Sequence, residues 1–498
     1  MKYLKVNLWG KEIGRLVWEA STRRIYFMYN PDLTNIPDIA PLLSSTKNRN
    51  NLLPIYGDDR PLYQGLPPFI ADSLPDSWGN TLFDKWIKDS KISRNKITPL
   101  YKLTFIGTRG MGALEYEPCV TDLNHTKRID IKSLYDLATK ILEDREDIVL
   151  NANEELTLQA LLAVGTSAGG RQMKAVIAVN ETTGEIRSGQ TDGLEGFNYY
   201  ILKFGDKSMP IAEIETAFYN MAKQADIEME DCRLFPVEGI NHFLTRRFDR
   251  KEGKKIHVQT LAAMNPEARS YEDLIATCRE LSLPESTIEE IYRRMVFNVM
   301  ANNTDDHNKN FSFLLEESDK WKLAPAYDVT FIFNTNGTGP NIDRRLSIGG
   351  KTAEISKEDL LEFARQNDIK NAKAIINRVA EAIGTFESYA EITGITQPWR
   401  GIIQKTLDSI LTEFGYKDKI EPKQTFIDNS GREINDFAVS INSKGHYVIS
   451  ATIDGKVRRR FIRQNHPLYG ELNQHDIFNL PDSYRINLIE QLFPFIPK

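Results

Sequence analysis

The chain has only three cysteines in 498 residues, Cys119, Cys232 and Cys278, and they stand far apart. That distribution excludes a disulfide framework and a cysteine zinc site. No apolar run approaches the length needed to span a bilayer, and Met1-Lys2-Tyr3-Leu4-Lys5 lacks the apolar core of a signal peptide. The expectation is a reduced, cytoplasmic protein without a membrane partner. Positive charge is not in surplus: the net charge is −6 and the pI about 5.8, which argues against broad nonspecific binding of DNA by this chain alone. Internal repeats and low-complexity tracts are also missing. What remains is ordinary globular composition, 41% hydrophobic and 27% charged, at a length that implies more than one domain.

The most informative segment is Asn303-Thr304-Asp305-Asp306-His307-Asn308-Lys309-Asn310, followed by Ala324-Pro325-Ala326-Tyr327-Asp328. An Asp precedes an Asn by five positions, and a second Asp follows a short apolar hairpin. Phosphoryl transfer from a nucleotide uses that set: one carboxylate accepts the proton of the attacking hydroxyl, and the Asn and the second Asp hold Mg2+. The spacing D-x-x-x-x-N selects Asp305 rather than Asp306 as the base. Asp306 is left a supporting or phosphate-side role. A solvated acidic loop is the alternative, and the apolar strands that frame the cluster disfavour it.

The flanking pattern delivers these residues in a fitting order. Ser286 to Asn302 reads as a helix, with Ser286 and Glu289 spaced as a capping box and Ile288, Ile291, Met295 and Val299 on one face. Asn302-Asn303 ends it. Phe311 to Leu315 and Trp321 to Ala324 read as paired strands around a polar turn. In protein kinases the same order joins the catalytic loop to D-F-G. Upstream, Val164-Gly165-Thr166-Ser167-Ala168-Gly169-Gly170 could bring backbone N–H groups to a phosphate or could equally be a plain turn. A strand, Lys174 to Val179, follows it. Phe197 to Phe204 is too aromatic and β-branched for anything but a strand. Lys203 at its end would be costly to bury without partners. The next helix, near Ile211 to Ala225, offers Glu213 and Glu215 as partners.

These residues together resemble the HipA family of bacterial serine/threonine kinases of toxin–antitoxin modules. The resemblance rests on Asn303-x-Asp305-x-His307-x-Lys309-Asn310 with Ala-Pro-Ala-Tyr-Asp328. Leu74-Pro75-Asp76-Ser77-Trp78-Gly79, Phe105 to Leu114, the Gly-rich loop, Ile201-Leu202-Lys203-Phe204 and Arg247-Phe248-Asp249-Arg250 add to it. It spans roughly residues 1–415. It implies an α+β, protein-kinase-like bilobal fold with a β-rich N-terminal domain and a mainly helical C-lobe. The expected division is 1–125 (N-terminal domain), 126–250 (nucleotide lobe and hinge), 251–418 (catalytic lobe) and 419–498 (extension). The cofactors implied are ATP and Mg2+. Implied roles are Asp305, Lys309 and His307 at the chemistry, Asn310 and Asp328 at the metal, and Ser167, Gly169, Gly170, Lys174, Lys203, Glu215, Phe248, Asp249 and Tyr327 at the nucleotide. Ser167 is also the implied autophosphorylation site. The implied partners are a HipB-like helix-turn-helix antitoxin, DNA only through it, and a protein substrate with a Ser/Thr acceptor, a tRNA-charging enzyme among the candidates. A nonenzymatic antitoxin-binding scaffold and a small-molecule or lipid kinase are the competing readings.

Beyond Gly415 the character changes. Gln424 to Phe461 reads as short strands with turns at Asn429-Ser430-Gly431 and Asp454-Gly455, and the helix Asp482 to Leu492 is expected to pack the extension onto the kinase. Lys456 to Arg463 is its one basic concentration, more readily a solvated strand face than a nucleic-acid contact. Ile348-Gly349-Gly350-Lys351-Thr352 fails as a P-loop because Arg345 stands where the first Gly belongs.

Overall fold

The computed structural model describes the chain from Tyr3 to Pro494, apart from residues 20–23, 33–36, 44–52, 91, 94–96, 121–127, 144–151, 166–171, 191, 318–319, 418–425, 429–430, 442–445, 454–455 and 473–481. It divides into two compact units, Met1–Phe414 and Gly415–Lys498. Among the described residues no helix is long and apolar enough to cross a membrane.

The first unit opens with an antiparallel five-stranded sheet, in the order Ile55–Tyr56, Arg24–Tyr29, Lys11–Glu19, Tyr3–Leu8 and Leu114–Glu117. Alternation in these strands buries one face: Leu4, Val6, Leu8, Leu16, Ile25 and Phe27 meet Phe69, Ile70, Leu100 and Leu103 from the following helices.

A second antiparallel five-stranded sheet runs Ile186–Ser188, Lys174–Val179, Asn198–Lys203, Ile240–Arg246, Cys232–Val237. Every residue of Lys174–Val179 is buried, because both faces of this central strand are covered. Ala175, Ile177, Val179, Tyr200 and Leu202 face a core shared with the helices Ser77–Asp89, Ile131–Glu143 and Ala152–Gly165. The other face, by strict alternation, carries Lys174 and Lys203. The two lysines are direct cross-strand partners, and Phe243 is the partner of Lys203 on its far side. The helix Ile211–Gln224 packs on the sheet and against the helices Ala372–Ile383 and Phe386–Thr393.

Below this sheet the chain is mainly helical. The helix Glu285–Met300 buries Ile288, Ile291, Met295 and Val299, as the spacing requires. It starts two residues earlier than the expected capping box needs, with Pro284 at the N-cap and no side-chain cap. Complete capping boxes form instead at Ser270/Asp273 and Ser356/Asp359. The strands His257–Thr260, Ser312–Leu315 and Trp321–Leu323 make a small antiparallel sheet that leads from the helix end to Asp328.

The second unit is a four-stranded antiparallel sheet, Phe426–Ile427, Glu433–Ile441, Tyr447–Ile453 and Lys456–Ile462, with two helices. On the helix Asp482–Leu492, Leu488, Ile489 and Leu492 are buried with Ile449, Ala451 and Ile453 in this unit's own core. The alternating burial of Tyr447–Ile453 leaves one sheet face needing cover, and the helix supplies it. Truncating Leu488, 1% exposed, to Ala should cost about 2–5 kcal/mol. The check is faster amide exchange in Tyr447–Ile453 with an unchanged tryptophan-fluorescence unfolding transition, since all six tryptophans precede residue 415.

Candidate active site

The site is built on Lys203. Its Nζ lies 2.5 Å from Glu215 Oε1, on the first turns of the Ile211–Gln224 helix, and forms an ion pair with Asp328 Oδ1. Glu213, the other candidate, is bonded to Asn241 Nδ2 at 2.9 Å. Its helix position puts it on a different face from Glu215. The ammonium also lies 5.6 Å from the Phe243 ring centroid.

Burial opposes the charge on Lys203, but Asp328 and Glu215 outweigh it and raise the pKa above the usual lysine value. Burial also pushes the Asp328 carboxyl up, and Lys203 and Lys174 outweigh it, holding it below the usual carboxylate range. Glu215 is the group that bears the cost. Its burial exceeds the attraction of Lys203 and its pKa is raised. Asp328 therefore presents an ionised carboxylate with about a third of its side-chain surface still open. Its backbone is left-handed, φ +53°, a conformation that Asp tolerates better than most residues and that is held here against its local cost.

Lys174 is buried opposite Lys203, with Nζ 3.9 Å from Asp76 Oδ2. Desolvation lowers its pKa, and Asp328 and Asp76 partly restore it. Asp76 caps the Ser77–Asp89 helix by accepting from Gly79 N, and Trp78 Nε1 donates to Lys174 O. The Leu-Pro-Asp-Ser-Trp-Gly segment is thus welded to the strand start.

The loop after the Glu285–Met300 helix is held in place largely by its own polar groups. Asn302 takes the left-handed turn, φ +52°, and Asn303 N donates to Asn298 O. Asn310 Nδ2 donates to Asp305 O at 2.8 Å, which closes the loop and leaves the side-chain oxygen of Asn310 outside that bond. His307 Nδ1 accepts from Lys309 N at 3.2 Å, so the imidazole braces the turn. Asp305 is about half exposed, with Arg345 Nε 3.5 Å from Oδ1. The charge of Lys309 favours ionisation of Asp72 and Asp76.

Asp306 differs sharply from its neighbour. Its side chain is wholly buried and accepts from Tyr271 OH (2.8 Å), Arg344 Nη1 (2.6 Å) and Arg345 N (3.0 Å). Tyr271 OH in turn accepts from Asn298, and Asn298 Oδ1 from Asn303 Nδ2. Asp306 is therefore the loop's anchor, with no phosphate-facing role. Tyr271, Asn298 and Arg344 escaped the sequence reading because only folding brings them to Asp306. Tyr327 braces the loop by donating to Lys309 O at 2.7 Å, and its ring meets Phe248. Asp249, expected at the nucleotide, is instead turned inward: Arg247 and Gly112 N occupy both its oxygens. It fixes the segment between the lobes. Ser167, Gly169 and Gly170 lie outside the described residues.

The donor set fits a hard cation. Asp328 and Asn310 supply a carboxylate and an amide oxygen, and Mg2+ is usually held by one or two such groups plus phosphates and water. Asn303 Oδ1 is buried in the same cavity without a hydrogen-bond partner, an acceptor that water around such an ion would satisfy. Among the described residues no cluster of three His, Cys, Asp or Glu forms a metal site of another kind.

Comparison with known proteins agrees with this geometry. The HipA N-terminal domain matches residues 4–117 and the HipA-like C-terminal domain residues 166–386. A Haemophilus influenzae protein provisionally named a kinase is 25% identical over 303 residues, 55% of this chain and 79% of its own length. The Sinorhizobium fredii protein Y4dM, also provisionally named a kinase, is 21% identical over 270 residues, covering 50% and 64%. HipA of Shewanella oneidensis MR-1, solved with HipB and its operator DNA, superposes with a TM-score of 0.59 at 15% identity, over 83% of this chain and 97% of that one. The fold is α+β, bilobal and kinase-like. The chain belongs to the HipA family.

Because Asp328 has a lowered pKa in the folded state, the unfolded chain binds the extra proton as pH falls. The stability Asp328 contributes is full above its unfolded value, about 3.9, and is lost as pH drops through its lower folded value. Urea midpoints measured from pH 6 to 3 should therefore fall more steeply for the wild type than for Asp328→Asn. Lys203→Met, which leaves Glu215 and Asp328 facing each other, should cost about 3–5 kcal/mol at neutral pH.

Proposed function

We propose that this chain is an ATP- and Mg2+-dependent serine/threonine protein kinase that acts as a HipA-like toxin. The observation that carries the reading is the Lys203–Glu215–Asp328 cluster, set beside a loop that presents Asp305 and Asn310. Lys203 is the clamp for the α- and β-phosphates, held at the cleft by Glu215, and Lys174 adds a second cation on the same face. Asn310 and Asp328 hold the Mg2+, which when bound neutralises charge between the phosphates. Asp305 orients the acceptor hydroxyl and takes its proton. Lys309 offsets charge that develops on the transferred group, and His307 keeps the loop turn in shape. Phe248 and Tyr327 line the base pocket. Most of the rate in such a site comes from positioning and fixed charge.

The Gly-rich loop carries Ser167 as the autophosphorylation site, with Gly169 and Gly170 over the phosphates. The family division 1–125, 126–250 and 251–418 gives the N-terminal domain, nucleotide lobe and catalytic lobe, with 419–498 as an added extension. A HipB-like antitoxin is the proposed partner, with DNA reached only through it, in the cytoplasm. The acceptor is a protein Ser or Thr, and a tRNA-charging enzyme is one candidate.

Purified protein incubated with γ-labelled ATP and Mg2+ tests this reading. Label should appear on the wild type, disappear in Ser167→Ala, and fall by orders of magnitude in Asp305→Ala and Asp328→Asn. Transfer at wild-type rate by Asp328→Asn would sink the assignment.

A further inference from the structure

One carboxylate of the first sheet domain bonds the segment that leads into the helix holding the catalytic loop. Asp72, at the end of the short helix Pro68–Ala71, accepts from Thr260 N at 2.7 Å and from Thr260 Oγ1 at 2.9 Å. Thr260 is the N-cap of the helix Leu261–Met264, and its Oγ1 accepts from Ala263 N. The first helical N–H groups have no partner within their own helix. Here two of them serve the catalytic loop: Leu261 N donates to Phe311 O at 2.7 Å and Ala262 N to Asn308 O at 3.0 Å. Those carbonyls bracket Lys309 and Asn310. Tyr63 OH, from the same domain as Asp72, accepts nothing further from the loop but donates to Ala262 O at 2.8 Å, gripping the helix from the other side.

We propose that Asp72 is a positioning residue: it fixes Thr260 and the Leu261–Met264 helix, whose N–H groups hold the segment carrying Lys309 and Asn310 in register for phosphoryl transfer. The effect on catalysis rests on the kinase reading above; the effect on the loop does not. Asp72 touches neither Lys203, Glu215 nor Asp328, so nucleotide capture should be independent of it. A displacement of about 1 Å at Asn310 is enough to slow an in-line transfer by as much as ~100-fold. Burial raises the pKa of Asp72, and Lys309 and the two Thr260 hydrogen bonds only partly oppose it. The domain that precedes the kinase lobes thereby acts on the active site by a route of hydrogen bonds through backbone, without contributing a group to the chemistry.

The test uses the full chain with Asp72→Ala, Asp72→Asn and Thr260→Val. Asn can still accept from Thr260 N and donate to Thr260 Oγ1, so it separates the hydrogen-bond geometry from the charge. Expected are a kcat at least tenfold lower in Asp72→Ala and Thr260→Val, KM for ATP within about twofold of wild type, and recovery of most of the loss in Asp72→Asn. Amide exchange should rise at Leu261, Ala262, His307 and Asn310 in Asp72→Ala while Asn198–Lys203 is unchanged. Equal kcat in Asp72→Ala, a change confined to KM, or unchanged loop exchange would overturn the proposal. A wild type that transfers no phosphate overturns the kinase reading alone, and the exchange result then decides the role of Asp72. If Asp72→Ala does not fold, Thr260→Val and Asp72→Asn decide it in the same way.

Discussion

One buried ammonium, that of Lys203, ties three parts of the fold together. The strand that carries it belongs to the sheet, Glu215 to the packed helix, and Asp328 to the hairpin that leaves the helical lobe. Two carboxylates around one buried cation would be unfavourable if any member moved, because desolvated charge is tolerated only when closely paired. Lys174, opposite Lys203 in the ladder, adds a second positive charge that helps keep Asp328 ionised. The raised pKa of Glu215 beside the lowered one of Asp328 makes the division of labour plain. Glu215 positions the lysine, and Asp328 keeps the charge that a metal or phosphate-bound cation would meet.

The loop that faces this cluster is held from two sides. On the inner side Asp306 receives Tyr271, Arg344 and the Arg345 N–H, and Asn298 links that network back to Asn303. On the outer side the Leu261–Met264 helix holds Asn308 and Phe311 by their carbonyls. Asp305 stands between the two anchors, about half exposed, with Arg345 Nε 3.5 Å from its carboxylate. Adjacent aspartates therefore have opposite fates. The buried one lends rigidity, and the exposed one keeps unused acceptor capacity, which the proposed proton transfer would draw on.

Much of this was legible in the chain. Lys174 to Val179 reads as a strand, and the strand occupies those residues. The five-residue step from Asp305 to Asn310 is met by a side-chain bond that closes the loop over that distance. Glu215 rather than Glu213 reaches Lys203 because the two sit on different helical faces; the residues offered both, and the family resemblance pointed to Glu215. The anchoring of Asp306 was not legible, since Tyr271 and Arg344 lie more than thirty residues away on either side. Nor was the inward turn of Asp249, which depends on Gly112 from the preceding domain. Ser286-x-x-Glu289 matched a capping pattern, but Pro284 starts the helix first, and its missing N–H makes it suited to a helix entrance. The Asp482–Leu492 helix showed its length in sequence but not its partner, because an apolar face does not say which sheet it covers.

The proposed function requires that Asp328 and Asn310 form, with Lys203, a site for a nucleotide and its magnesium. Calorimetric titration of ATP into the wild type and into Asp328→Asn, each with and without Mg2+, tests that most directly. The wild type should bind ATP more tightly when Mg2+ is present, and Asp328→Asn should lose that dependence while still binding the nucleotide through Lys203. No ATP binding by the wild type, or the same Mg2+ dependence in both proteins, would contradict it.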